Sequence, residues 1–250
     1  MRLIADVHGA VSALRRVARQ PGPLLILGDL INFIDYRNNE GIVTEVSGQE
    51  FTDQMVALRT AGEAVAAGAL WREFRKGREE ELRQAYDDAI AAAYDEILGA
   101  LAGSESYVTY GNVDRPALMK EKLPAGSRFV DGEALEIEGI RVGFAGGGII
   151  SIGTQGEVSE EEMAAKLEQL GPVDMLCTHV PPAVWAVQKD VIAGRAKGSG
   201  TILDYLHRHQ PRWHYFGDVH QPQAITWRVG STICRNVGYF RATGRAWTHS

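Results

Sequence analysis

The chain has 250 residues, of which 45% are hydrophobic, 23% charged and 8% aromatic, a balance that excludes disordered, fibrous and membrane-embedded chains. Twenty-six Lys and Arg against 32 Asp and Glu give a formal net charge of −6. That balance disfavours broad adhesion to nucleic acid or anionic lipid and leaves small phosphorylated substrates open.

Residues 2–5 read as a short strand, after which Ala10, Val11, Leu14, Val17 and Ala18 recur at helical spacing until Pro21, Gly22 and Pro23 stop the pattern. The continuous apolar run 24–27 suits a strand covered on both faces. From about 49 to 102 the composition turns to Ala, Glu, Arg and Leu. One helix there carries Phe51, Met55, Leu58, Val65, Leu70 and Phe74 and ends near Gly77; a second presents Leu82, Tyr86, Ile90, Tyr94, Ile97, Leu98 and Leu101 on one face. Mixed charges over 71–83 read as a solvated helix face.

After Gly111 strands predominate, at 129–130, 134–137, 140–145, 173–177, 214–216, 224–229 and 232–237. Ser159 with Glu162 has the pattern of a capping box ahead of Met163, Leu167 and Leu170, and Thr201 with Asp204 suggests another. Neither a repeat nor a low-complexity tract interrupts the chain. Cys177 and Cys234 each lie in an apolar run, as expected for buried thiols in a reducing compartment. No apolar run approaches the roughly 20 residues that span a bilayer, so the expected location is cytoplasmic.

Polar residues of metal-binding type follow the strands. Asp6 and His8 stand two apart at the end of the first strand, where an extended backbone would send both side chains to one side. A hydrogen-bonded pair is the other reading of these two residues alone. Gly28-Asp29 ends the second strand, Gly111-Asn112-Val113-Asp114 follows 107–110, Thr178-His179 follows 173–177, and Gly217-Asp218-Val219-His220 follows 214–216. Open α/β sheets collect ligands at such carboxyl ends. Five ends in order, each bearing Asp, His or Asn, point to one site.

This ordered set resembles the calcineurin-like metallophosphoesterases, whose pattern is Asp-x-His, Gly-Asp, Gly-Asn-His-Asp/Glu, a lone His and Gly-His-x-His. The likeness spans residues 6–220. It implies an α/β fold, the four-layer α/β/β/α sandwich, formed by residues 1–250 with a helical insertion at 40–104. It also implies two divalent metal ions (Mn, Mg, Zn or Fe), one held by Asp6, His8 and His220, the other by Asn112, His179 and Asp218, with Asp29 bridging them. Two such ions about 4 Å apart hold phosphate oxygens and acidify a hydroxide between them for attack on phosphorus.

Three positions depart from the family pattern. Asn32 stands where a second acid sometimes follows Gly-Asp, Val113 replaces the His that contacts phosphate in many members, and Asp218 replaces the first His of Gly-His-x-His. Resembling members without that phosphate-contacting His are described as phosphodiesterases, which favours diesters here. Asp218 would leave the centre one unit less positive than a His, so that the second site is expected to be weak, selective for harder cations, or empty.

The expected function is therefore a metal-dependent phosphodiesterase with a metal-bridging hydroxide as nucleophile, acting on a small phosphoester. The alternative is a degenerate scaffold serving as a protein-binding module. Asp29 and Asn112 are expected to be catalytic. Asp114 is expected to orient a ligand, and Arg115 to hold a phosphate oxygen or to form a loop salt bridge. His214 reads as a core histidine or a support to the site, and His207 and His209 as surface residues. Gly146-Gly147-Gly148 and the stretch 194–201 lack nucleotide-cradle order and read as turns, the former beside the substrate. Pro181-Pro182 would stiffen the loop after His179. The 40–104 segment offers a lid, a surface for homo-oligomerisation or a packed appendage.

Overall fold

Strands with apolar side chains on both faces need cover on both sides, and that requirement sets the architecture. The computed structural model describes residues 1–151, 153–191, 194 and 196–249. In chain order the first half contains β1 (Arg2–Ile4), α1 (Val11–Ala18), β2 (Leu24–Leu27), α2 (Ile42–Ser47), α3 (Gln49–Thr60), α4 (Ala64–Arg75), α5 (Glu79–Gly99), β3 (Ser106–Thr109), α6 (Pro116–Lys122) and β4 (Ser127–Phe129). The second half contains β5 (Glu133–Ile137), β6 (Ile140–Ala145), β7 (Gly148–Ile149), β8 (Glu157–Val158), α7 (Glu160–Leu170), β9 (Met175–Thr178), α8 (Trp185–Gln188), α9 (Gly200–His209), β10 (Trp213–Phe216), β11 (Thr226–Val229), β12 (Thr232–Asn236), α10 (Phe240–Thr243) and β13 (Trp247–Thr248).

Five strands form one sheet in the order β13-β1-β2-β3-β4, and six form another in the order β11-β12-β10-β9-β6-β5. Strands β1 to β4 are parallel, with β13 antiparallel at one edge. In the second sheet β12, β10, β9 and β6 are parallel, between antiparallel edge strands β11 and β5.

Alternation along each strand splits the apolar side chains between layers. Leu3, Ala5, Leu25, Leu27, Val142, Phe144, Met175, Cys177 and Tyr215 pack between the two sheets. Ile4, Leu24, Ile26 and Val108 turn outward to helices α1 to α6, joining Leu14, Phe51, Met55, Ile90, Tyr94 and Ile97. Leu176 and Phe216 turn to the opposite outer face and meet Met163 and Leu167 of α7 and Ile202 and Leu206 of α9. The layers are therefore helix, sheet, sheet, helix, as the resemblance implies. No helix among the described residues is long and apolar enough to cross a membrane. Cys177 and Cys234 are free and buried.

Two local expectations are corrected. The single helix expected from Phe51 to Phe74 is two, α3 and α4, broken at Gly62, whose φ of +78° suits glycine and ends the first helix. The break folds α4 back, bringing the Phe51 and Phe74 rings to 4.0 Å between centroids. The capping box at Ser159 and Glu162 is present. The cap of α9, however, is Ser199, whose side chain accepts from the Ile202 N–H, so Thr201 lies inside the helix.

Phe144 is fully buried between the sheets. Truncation to Ala is expected to cost about 3–5 kcal/mol in urea unfolding, whereas Val65→Ala on the exposed face of α4 should stay within about 0.5 kcal/mol.

Candidate metal centre

Parallel strands place all their carboxyl ends along one edge, and the two sheets bring those edges together. Asp6 and His8 follow β1, Asp29 follows β2, Asn112 follows β3, His179 follows β9, and Asp218 and His220 follow β10. The backbone leaves extended geometry at once: φ is +59° at Asp6, +41° at His8, +53° at Asp29 and +62° at Asp218. The simple alternation expected for Asp6 and His8 is thus corrected, since left-handed turns aim these side chains. Each such conformation costs about 1–3 kcal/mol in a non-glycine residue and persists where neighbours hold it. Here the neighbours are backbone bonds between the loops: Asp6 N–H donates to Gly28 O (3.1 Å), His8 N–H to Asp29 O (2.9 Å) and Gly217 N–H to His179 O (2.8 Å).

Two overlapping donor sets result. Asp6, His8 and His220 have one donor atom each within 4.8 Å of one another, and so do Asp6, Asp29 and His179. In the first set the Nε2 atoms of His8 and His220 are 3.2 Å apart, with Asp29 Oδ2 3.6 Å from His8 Nε2 and Asp6 Oδ1 3.7 Å from His220 Nε2. In the second, His179 Nε2 lies 3.5 Å from Asp29 Oδ1, 3.4 Å from Asn112 Oδ1 and 3.8 Å from Asp218 Oδ1. Gly111 permits this approach, because a Cβ there would sit 2.2 Å from Asp29 Oδ1 and 2.6 Å from His179 Nε2. The structure therefore brings together Asp6, His8, Asp29, Asn112, His179, Asp218 and His220.

The donors suit a divalent cation. Asp6 Oδ2 is buried without a hydrogen-bond partner among the described residues, while Oδ1 accepts from the Asp218 N–H at 3.0 Å. His8 Nδ1 faces Ile31 O at 3.3 Å and His179 Nδ1 faces Leu27 O at 2.7 Å. A carbonyl partner places a proton on Nδ1 and turns Nε2 inward, the orientation of metal-ligating histidines, in which Nε2 gives up any proton to the metal. Asp6, Asp29 and Asp218 are all buried, and among the described residues no Lys or Arg is ion-paired with Asp6 or Asp29. Buried carboxylates need positive charge. The protein supplies some itself: burial disfavours a charged His179, but Asp29, Asp218 and Asp6 outweigh it and push the imidazole up to about 9. For Asp6 burial is outweighed by His220, His179 and His8, and its carboxyl is held below the usual range.

Asp114 orders the centre from beneath. Its carboxylate accepts from the backbone N–H groups of Asp29 (2.8 Å), Leu30 (3.0 Å) and Gly111 (2.9 Å) and from the Tyr94 hydroxyl (3.0 Å). Burial and the nearby Asp29 charge raise it to about 6. Tyr94 also accepts from the Arg115 N–H at 2.7 Å, tying α5 to this loop. The Arg115 guanidinium pairs with Asp87 of α5, away from the donors. Val113 turns its side chain to the outer core and gives its N–H to Asp29 Oδ1 at 3.1 Å. Asn32 contacts Glu40 O at 3.5 Å. The turn expected at 146–148 is shorter, since Gly148 opens β7; the Gly147 N–H donates to Tyr110 O and the Gly148 N–H to Gly156 O, which sets this stretch against the Asn112 loop. His207 is exposed, and the half-buried His209 ring lies tilted against Tyr205, with centroids 4.6 Å apart.

Three residues at the rim were not singled out by sequence reasoning. Lys197 donates to Asp218 Oδ1 at 2.6 Å and to Asp218 O at 3.1 Å. Tyr239 stacks on His220, with centroids 4.0 Å apart, and the Arg241 guanidinium bonds His8 O and Asp35. The only signal for Lys197 was its place in a Gly-bearing stretch after His179, where charge had no evident partner.

No family model matches the sequence, and no curated protein matches it. Solved structures do match in fold. One crystal structure aligns with 96% of this chain and 90% of its own at 16% identity and a TM-score of 0.63. The crystal structure of TT1561 of Thermus thermophilus aligns with 99% of this chain and 96% of its own at 11% identity and a TM-score of 0.56. A novel archaeal phosphodiesterase aligns with 97% of this chain and 85% of its own at 10% identity and a TM-score of 0.39. The first two likenesses place the chain in a shared α/β sandwich fold.

His214 supports the loop that carries His179. Thr178 Oγ1 gives its proton to Val180 O at 2.6 Å, so at 2.8 Å it accepts from His214 Nε2. His214 Nδ1 is buried without a partner, and burial pushes this imidazole down to about 3. A folded value below the unfolded one of about 6.5 means that the unfolded chain takes the proton first as pH falls. The contribution is complete above about pH 6.5 and is lost toward pH 3, by about 2 kcal/mol at pH 5. His214→Gln should lose correspondingly less stability than wild type between pH 7.5 and 5, measured by urea unfolding at both values.

Proposed function

We propose that the chain is a metal-dependent phosphoester hydrolase that favours diesters. The observation that carries the reading is the pair of imidazole Nε2 atoms of His8 and His220, 3.2 Å apart, with Asp29 Oδ2 3.6 Å from the first and Asp6 Oδ1 3.7 Å from the second, in a pocket walled by further carboxylates. Asp6, His8, Asp29 and His220 would hold a divalent cation, with Asn112, His179 and Asp218 completing the pocket. Such a cation polarises phosphoryl oxygens and lowers the pKa of a bound water, which is the chemistry hydrolysis requires.

The chain's own groups set what can be hydrolysed. Val113 offers only an N–H already given to Asp29, so it delivers no proton to a leaving oxygen, which must take one from solvent or depart readily. Three buried aspartates lower the positive charge of the pocket. A diester monoanion asks less positive charge of it than a monoester dianion. Half-buried His220 and Lys197, each with 32% of its side chain exposed, frame the accessible side.

Turnover of bis(p-nitrophenyl) phosphate should exceed that of p-nitrophenyl phosphate when Mn²⁺, Mg²⁺ or Zn²⁺ is supplied to metal-stripped protein. Asp29→Ala should lower it at least about 100-fold with circular dichroism unchanged, since it removes a donor rather than an outer partner. Undiminished turnover in that variant or in stripped protein would refute the reading. Failure to hydrolyse either ester, with less than one ion per chain, would favour a protein-binding role.

A further inference from the structure

The second half of the pocket already contains a cation. Asp29 Oδ1, Asn112 Oδ1 and Asp218 Oδ1 surround His179 Nε2 at 3.5, 3.4 and 3.8 Å, and it is this same Asp218 oxygen that Lys197 Nζ contacts at 2.6 Å. Building on the metal centre proposed above, we infer that the Lys197 ammonium replaces a second divalent ion, so that the folded chain binds one divalent ion, at Asp6, His8, Asp29 and His220.

Lys197 is placed by structure on both sides of it. Its N–H donates to Gln188 O at 2.8 Å, the Ser199 N–H donates to Pro181 O at 3.0 Å, and the Ala183 N–H donates to Ser199 O at 2.9 Å. Bridges Lys189↔Ala196 and Pro182↔Ser199 flank it. The segment is therefore laced to the loop that follows His179. From that backbone the side chain reaches inward and bonds both the carboxylate and the carbonyl of Asp218, leaving 32% of itself exposed. A lysine at an open rim gains little from a lone surface pair. Here the acceptor is a carboxylate only 2% exposed, which cannot be left uncompensated.

Charge gives the same answer. A second dication on Asp218 Oδ1 would sit against the ammonium at contact range, in a pocket with little water to screen it. Aspartate at 218 accounts for the pairing, since an imidazole in that position offers no fixed negative charge to a lysine.

Titration of metal-stripped protein with Mn²⁺, followed by elemental analysis and electron paramagnetic resonance, tests this. Wild type is expected to take up one ion per chain and give the spectrum of isolated Mn²⁺. Lys197→Met should raise the count to two and give a spin-coupled pair, and Lys197→Arg, which keeps the charge, should stay at one. Two ions in wild type would overturn the inference while leaving the metal centre intact, as would one ion in a folded Lys197→Met. The wild-type and Lys197→Arg counts decide even if Lys197→Met fails to fold. Absence of any bound ion in wild type would sink the metal centre itself, and this inference with it.

Discussion

Three carboxylates taken out of water at one spot are the constraint around which this molecule is arranged. Asp6, Asp29 and Asp218 are between 0% and 3% exposed, and burial of that much negative charge is unfavourable unless cations or hydrogen-bond donors oppose it. The protein answers with backbone N–H groups from Asp218 and Val113, with the imidazole of His179, and with the ammonium of Lys197. None of these neutralises Asp6 Oδ2, which has no partner. The carboxylates and imidazoles gathered there are groups that could hold a metal ion.

The fold supplies this convergence through topology. Parallel strands β1, β2 and β3 end on one edge of the first sheet, and β9 and β10 end on the matching edge of the second. Apolar side chains between the sheets, Leu3, Leu27, Phe144 and Cys177 among them, hold those edges face to face. Asp114 then fixes the bend after β2 by accepting two successive N–H groups, while its bond to Tyr94 joins the bend to α5. A helix far from the donors in sequence therefore helps to set where Asp29 points.

Much of this was legible in the sequence because strand ends announce themselves: an apolar run followed by Gly and then Asp, Asn or His is a local pattern. Asp29, Asn112 and Asp218 carry it in full, and Asp6 and His179 carry it without the glycine. Other features were hidden because they depend on partners distant in the chain. The left-handed turns at Asp6 and His8 follow from bonds to the Asp29 loop, which spacing alone does not reveal. The break between α3 and α4 rests on one glycine within a helix-forming composition, where continuity looked equally favourable. Arg115 stood close to Asn112 in sequence yet pairs with Asp87, because Tyr94 and Asp114 draw that loop toward α5. Lys197 stood in a Gly-bearing stretch after His179, but a lysine among glycines acquires meaning only when the fold sets it against Asp218.

The apolar layer between the sheets ends at Ala5 and Val237, next to the acidic pocket. Along that border the sheets adhere through charge instead of hydrocarbon contact, so a divalent ion lodged there would act as a rivet between two plates. Its loss would loosen one margin of the sandwich and leave the greasy interior shut, so chelation would register first as fraying of that acidic margin.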